Sequence, residues 1–303
     1  MRKINIINWH KRMHSTLFVV TFCYIQKGMA ARLIFIFTFC FLLLSCKKNS
    51  VADPSSDDFI ETEPPSLSPV TQTINDAIGG YYSSTPVHYQ QSSKEYPLLI
   101  FIHGAGQFGD GNRDLPILLN EAVAELLDEK LFPPDFKVNG KHYSFIILIP
   151  QFSRQPLNEE VRSFISHALK NYRVDPGRVY LSGLSNGGAI TCDVAAEFNS
   201  LFAAIVPIAG VSNSGDVSAK CKKLAEDKLP IWVFHNDNDV FVSIDQPKRF
   251  IALLNGYNPA IPPKFTISPA FGIYGHDAWT KATNPQYSEN NMNIYEWMLQ
   301  YTR

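Results

Sequence analysis

From about residue 95 onward the chain alternates short apolar runs with amphipathic stretches. Leu98 to Ile102, Phe145 to Ile149, Arg178 to Leu181, Ala203 to Ile208, Ile231 to Phe234 and Phe265 to Ser268 are almost continuously apolar. Runs of this length that lack polar alternation predict strands buried on both faces of a parallel sheet. After Pro156, Val161, Phe164, Ile165, Ala168 and Leu169 recur at helical spacing behind Asn158, which stands where an N-cap belongs. A second helix is expected over Ala189 to Phe198. Tyr81-Tyr82 and Val87 to Tyr89 read as antiparallel strands at the start of the sheet. The alternation predicts an α/β protein: a doubly wound, mostly parallel sheet with helices on both faces and its site at the carboxyl ends of the strands.

The N-terminal part follows a different rule. Met29-Ala30-Ala31-Arg32, the apolar run Leu33 to Leu44 and then Leu43-Leu44-Ser45-Cys46 form a charged region, a hydrophobic region and a small residue before a cysteine. The run is shorter than the roughly 18 residues a spanning helix needs. It resembles a bacterial lipoprotein signal peptide ending in a lipobox, which implies translation from Met29, cleavage before Cys46 and acylation of that cysteine. The expected organisation is a leader over 1–45, a flexible tether over 46–73 rich in Pro, Ser, Asp and Glu, and one folded domain over 74–303. The expected location is the bacterial cell envelope, lipid-anchored at the outer membrane or cell surface.

Composition narrows the chemistry. With 45% hydrophobic and 13% aromatic residues the chain can build a full core, and a net charge of −1 supplies no field for nucleic acid. Of five cysteines, Cys23 and Cys40 lie in the leader and Cys46 is the lipid site. Cys192 falls on the apolar face of the helix expected after residue 188, which favours a buried thiol over a disulfide with Cys221. There is no CxxC or HExxH. Asp237-Asn238-Asp239 starts like a calcium loop, but Val242 stands where its glycine is required. No metal or cofactor is expected.

The strongest chemical signal is Gly183-Leu184-Ser185-Asn186-Gly187-Gly188, set between a predicted strand and a predicted helix. A serine hydroxyl is a weak nucleophile, and a tight strand-to-helix turn holds it clear of its own backbone within reach of a base. Small residues are needed on either side, and Gly183 and Gly187 supply them. Ser212, in Gly210-Val211-Ser212-Asn213-Ser214, lacks the second glycine and reads as loop. Downstream of Ser185, His235 ends a strand whereas His276 sits in a loop after the last strand, which makes His276 the better base. Two carboxylates, Asp237 and Asp239, follow a strand between serine and histidine, and Asp277 is badly placed to orient the adjacent ring and is expected to face solvent. The strand Leu98 to Ile102 ends in His103-Gly104-Ala105-Gly106, the form of a loop that brings a backbone N–H toward the serine. The oxyanion donors are then the N–H groups of Ala105 and Asn186, and His103 is expected to pin the loop.

The segments YPLLIFIHGAGQFGDG, FIILIPQ, VDPGRVYLSGLSNGG, FAAIVPIAG, PIWVFHNDND and YGHDAWTKA span roughly residues 95 to 299 with a terminal helix around Tyr295-Glu296-Trp297. They resemble bacterial α/β-hydrolases of the predicted-peptidase, polyhydroxybutyrate-depolymerase-like and feruloyl-esterase-like kind. The resemblance implies the chain order serine, acid, histidine and points to Asp239 as the acid, with Asp237 the alternative. Asn186 replaces the Met usual in the elbow, and Asn236 replaces the Gly usual before the acid, a change that bears on the acid loop. What it implies is a lipid-anchored serine hydrolase cleaving carboxylic esters through an acyl-enzyme, with Ser185, His276 and Asp239 as its triad. Its substrate is a small ester or an ester-decorated glycan, and Tyr274 and Trp279 are candidates for the pocket floor. A serine peptidase with the same triad and a non-catalytic glycan-binding surface protein are the alternatives.

Overall fold

The computed structural model describes residues 60–269 and 274–303; the leader over 1–45, Cys46 and the tether as far as residue 59 lie outside the described residues. The strands are β1 Ser66–Val70, β2 Ile78–Thr85, β3 Tyr96–Ile102, β4 Phe136–Val138, β5 Lys141–Tyr143, β6 Ile146–Phe152, β7 Val174–Leu184, β8 Ala204–Ile208, β9 Trp232–Asn236 and β10 Lys264–Ser268. The helices are α1 Ala122–Asp128, α2 Asn158–Asn171, α3 Asn186–Glu197, α4 Val217–Glu226, α5 Asp245–Gly256, α6 Trp279–Thr283 and α7 Ile294–Met298.

Eight strands form one sheet in the order β1-β2-β6-β3-β7-β8-β9-β10, and β4 and β5 make a separate hairpin. The β1–β2 and β2–β6 pairs are antiparallel, and all later neighbours are parallel. Each predicted apolar run overlaps one of the strands. β3 shows why no alternation marks them: Leu98, Ile100 and Ile102 pack into the core on one face and Leu99 and Phe101 into the core on the other. Buried residues of α2 to α5 fill the first core, including Phe164, Ile190, Cys221 and Phe250. The second holds Val123 of α1, Ala282 of α6 and Tyr295 and Trp297 of α7. Among the described residues no helix is long and apolar enough to cross a membrane.

Four local expectations need correction. β1 lies inside the stretch read as tether, so the folded body begins before residue 74. Its sequence shows no continuous apolar run to reveal it, since it pairs at a sheet edge, where Pro69 is tolerated and only Leu67 and Val70 are half-buried against the cores. Val87 to Tyr89 is not a strand: Pro86 ends β2, and its carbonyl accepts the Tyr89 N–H at 3.0 Å as the chain turns into a short 3-10 helix. Asn158 is the first residue of α2 rather than its cap. Leu157 holds the cap position, with its N–H donated to the Glu160 carboxylate at 2.8 Å. Leu169, beside fully buried Ala168 but at the edge of the stripe that α2 turns to the core, is exposed.

Cys192 and Cys221 are both buried and free, as the helical phase of Cys192 suggests. Burial pushes the Cys221 thiol up to about 12, so neither sulfur is poised as a nucleophile.

Candidate active site

Ser185 joins β7 to α3 with φ 53° and ψ −118°, a strained left-handed conformation that aims the side chain away from both elements. The two flanking glycines make the turn sterically feasible. A Cβ on Gly183 would stand 2.6 Å from the Gly187 carbonyl oxygen, and one on Gly187 would overlap the carbonyl oxygen of Ile102 on the neighbouring strand. Backbone bonds fix the turn from both sides: Ser185 N–H donates to Ile208 O at 2.8 Å, and Ser185 O accepts from Gly188 N–H at 3.0 Å and Ala189 N–H at 3.2 Å.

His276 lies between β10 and α6. Its Nδ1 is 2.6 Å from Asp239 Oδ2 and its Nε2 is 2.9 Å from Ser185 Oγ. A carboxylate only accepts, so Nδ1 carries the proton and Nε2 presents its lone pair to the serine hydroxyl. The Asp239 side chain is fully buried in the loop after β9, whereas that of His276 keeps 16% exposure. The second carboxylate oxygen, Oδ1, accepts the N–H groups of Phe241 at 2.9 Å and Val242 at 3.0 Å. Asp237, the alternative acid, is exposed, and its backbone N–H donates to Ser268 O at 2.9 Å.

The loop after β3 lies against the elbow. A Cβ on Gly104 would stand 2.8 Å from Leu184 Cδ1 and 3.7 Å from Ser185 Cβ. Ala105 opens a one-turn 3-10 helix and Asn186 opens α3, so both N–H groups belong to helix starts that have no carbonyl of their own turn behind them. The Asn186 side chain turns aside and donates to Gln155 Oε1 at 2.8 Å. His103 locks the loop as expected: its Nε2 accepts from Phe152 N–H at 3.0 Å, and its Nδ1–H therefore donates to Gly104 O at 2.7 Å. Burial lowers its pKa to about 4, which keeps the ring neutral in this role.

No family model matches the chain. It is 27% identical over 114 residues to poly(3-hydroxyalkanoate) depolymerase C of Paucimonas lemoignei, across 36% of this chain and 26% of that protein. It is 31% identical over 91 residues to a bifunctional acetylxylan esterase/xylanase of Neocallimastix patriciarum, across 30% of this chain and 13% of that protein. The chain thus spans about a quarter or less of the curated relatives it matches. A feruloyl esterase module from Clostridium thermocellum matches 80% of this chain and 94% of its own length with a TM-score of 0.54 at 15% identity. The chain has the α/β-hydrolase fold.

In that fold the structure brings Ser185, His276 and Asp239 into one hydrogen-bonded line, leaves Asp237, Ser212 and Asp277 outside it, and sets His235 Nε2 3.4 Å from Asp239 Oδ2. Ser212 is buried and accepts from Lys220 Nζ at 3.2 Å, and the same amine pairs with Asp193 at 2.7 Å. Asp277 is half-buried rather than solvent-facing, and just ahead of α6 its carboxylate accepts Thr280 N–H at 2.9 Å and Oγ1–H at 2.7 Å. Among the described residues no group of three or more His, Cys, Asp or Glu side chains is arranged to hold a metal ion.

Two further residues shape this site, one flagged in the sequence for its bearing on the acid loop and one not. Asn236 is buried, and its Nδ2 donates to Gly275 O at 2.9 Å, while Val240 N–H donates to Tyr274 O at 3.1 Å. These bonds tie the acid loop to the histidine loop, so Asn236 acts as a brace between them. Phe241 carries no motif, yet its ring lies 5.3 Å from His276, with Trp279 at 5.2 Å and edge-on to the same imidazole. Phe241 is 65% exposed and packs on Tyr274, itself 57% exposed, at 5.6 Å. Together the rings make an exposed aromatic face beside His276. The signal in the sequence was only the apolar pair Val240-Phe241 directly after the acid.

Proposed function

We propose that the protein is a serine hydrolase that cleaves carboxylic esters through an acyl-enzyme. The observation that carries this reading is the pair of distances at His276, 2.9 Å to Ser185 Oγ and 2.6 Å to Asp239 Oδ2. Ser185 Oγ attacks the ester carbonyl as its proton passes to His276 Nε2, and the buried Asp239 carboxylate stabilises the imidazolium. The N–H groups of Ala105 and Asn186 stabilise the tetrahedral oxyanion, which collapses as His276 returns the proton to the departing alcohol oxygen. Water then repeats the sequence on the acyl-serine, releasing the carboxylic acid.

Esters rather than peptides are the proposed substrates. The curated relatives are by name an ester-polymer depolymerase and an acetylxylan esterase. An amide further requires its leaving nitrogen to be protonated and better positioned than an alkoxide oxygen. The open Phe241–Tyr274 face favours esters that carry a flat or apolar group, whether free or on a glycan. With purified protein, turnover of p-nitrophenyl acetate and a methyl hydroxycinnamate is expected to exceed that of a proline-containing peptide amide greatly in kcat/KM. Equal or faster amide turnover would move the assignment to a peptidase.

The lipid anchor belongs to the same proposal. The Leu43-Leu44-Ser45-Cys46 sequence supports acylation at Cys46 and retention in the bacterial cell envelope. Protein expressed from Met29 is expected to fractionate with membranes, and Cys46→Ala to move it to the soluble fraction. Unchanged membrane association in the variant would instead support an uncleaved apolar anchor.

A further inference from the structure

His235 is the penultimate residue of β9, four residues before Asp239, and its side chain is fully buried beneath the acid loop. Its Nε2 lies 2.8 Å from Val242 O and 3.4 Å from Asp239 Oδ2. Both partners are acceptors, so Nε2 carries the ring proton. Nδ1 has no partner, which is tolerable for a lone pair and costly for a buried N–H, and so selects the neutral ring. Burial acts the same way, holding His235 below the usual histidine range against the opposing pull of the Val242 carbonyl and the Asp239 charge.

We infer that His235 is a positioning residue for the acid, a fixed neutral donor that clamps the 239–242 turn and orients Asp239 Oδ2 toward His276. The turn is closed on one side by Asp239 Oδ1, which accepts the Phe241 and Val242 N–H groups. On the other side it is closed by His235, which takes the Val242 carbonyl and sets its N–H edge toward Oδ2. Because His235 belongs to a strand paired in register with Ile267 of β10, the clamp is referred to the rigid sheet rather than to another loop. The inference rests on the reading of Ser185, His276 and Asp239 as the reacting groups.

The test uses H235Q, H235N and H235F with an ester substrate, each preparation titrated with a fluorophosphonate so that kcat is expressed per reactive serine. A Gln amide reaches the place of Nε2, an Asn amide reaches only that of Nδ1, and Phe keeps the shape without a donor. H235F and H235N are expected to lose about 10- to 100-fold in kcat per titrated serine with KM nearly unchanged, as expected of a displaced catalytic group. H235Q should recover most of that loss. The far-downfield proton resonance of the His276–Asp239 hydrogen bond should move upfield in H235F and H235N and stay in place in H235Q. A histidine that only fills space would alter thermal stability and the titratable fraction but neither kcat per serine nor that resonance, and this result overturns the inference. If H235F does not fold, the Gln and Asn pair decides, and equal kcat in the two again overturns it. If the wild type neither turns over esters nor takes up the fluorophosphonate, the reading of the triad fails first and the inference falls with it.

Discussion

Ser185→Ala is expected to lower kcat for ester hydrolysis by about 10⁴- to 10⁶-fold, in line with triad removals in serine hydrolases, while thermal unfolding stays close to that of the wild type. The size of the first effect follows from chemistry: with no hydroxyl there is no acyl-enzyme, and only the oxyanion donors and binding remain. The small size of the second follows from the turn. Alanine keeps the Cβ that the φ 53° conformation already accommodates, and the backbone bonds to Ile208, Gly188 and Ala189 do not involve the hydroxyl. The one bond lost is to His276, a partly exposed ring that water can satisfy. A fluorophosphonate should add once to the wild type, at Ser185, and not to the variant, with intact mass and peptide mapping as the readout. An adduct at Ser212 would reassign the nucleophile, an outcome its burial and its bond to Lys220 argue against.

Asp239→Asn is expected to cost about 10⁴-fold in kcat, the scale set when a triad acid becomes an amide, and Asp237→Asn to leave kcat near the wild-type value. The two N–H groups of Phe241 and Val242 at Oδ1 require an oxygen there, so the amide nitrogen of an Asn must take the Oδ2 side. It then points N–H bonds at His276 Nδ1 and at the His235 Nε2–H. His276 can accept that hydrogen bond only by moving its own proton to Nε2, the atom that has to accept from Ser185. The wrong tautomer abolishes the base, and the facing donors at His235 lower stability as well. Both losses should appear together in kcat and in the unfolding temperature of Asp239→Asn. Asp237 faces solvent, and its bond to Ser268 O runs through its backbone N–H, so among the described residues its side chain has nothing comparable to lose. A large effect at Asp237 with a small one at Asp239 would reverse the choice of acid.

What the sequence by itself determined is what short-range physics dictates. A short apolar run bounded by turns fits a strand covered on both faces, and the runs at Leu98, Phe145, Arg178, Ala203, Ile231 and Phe265 all lie on strands of the sheet. The last, on edge strand β10, leaves Ile267 exposed because among the described residues no neighbouring strand or helix covers that face. Gly183 and Gly187 were readable because a strand-to-helix turn this tight leaves no volume for a Cβ, whatever the rest of the chain does. Where local pattern and tertiary need diverge, the sequence misled: Ser66–Val70 looks like tether because an edge strand held by pairing needs only Leu67 and Val70 to touch the core, and Leu169 shares the helical period but lies at the edge of the face the core covers. The site itself was assembled at long range. Ser185 and His276 are 91 residues apart and His276 and Asp239 are 37 apart, so their meeting depends on the order of strands β7, β8, β9 and β10 rather than on any local spacing. Two neighbouring aspartates are equivalent as residue types. Only the turn after β9 decides that Asp239 points inward, with its carboxylate held by the Phe241 and Val242 amides, while Asp237 points to water. The same turn decides that Asn236 braces the histidine loop, that Phe241 stands beside the imidazole and that His235 lies beneath the acid. A side chain's type is written in the sequence, but its direction at a loop is set by backbone contacts with segments distant in the chain.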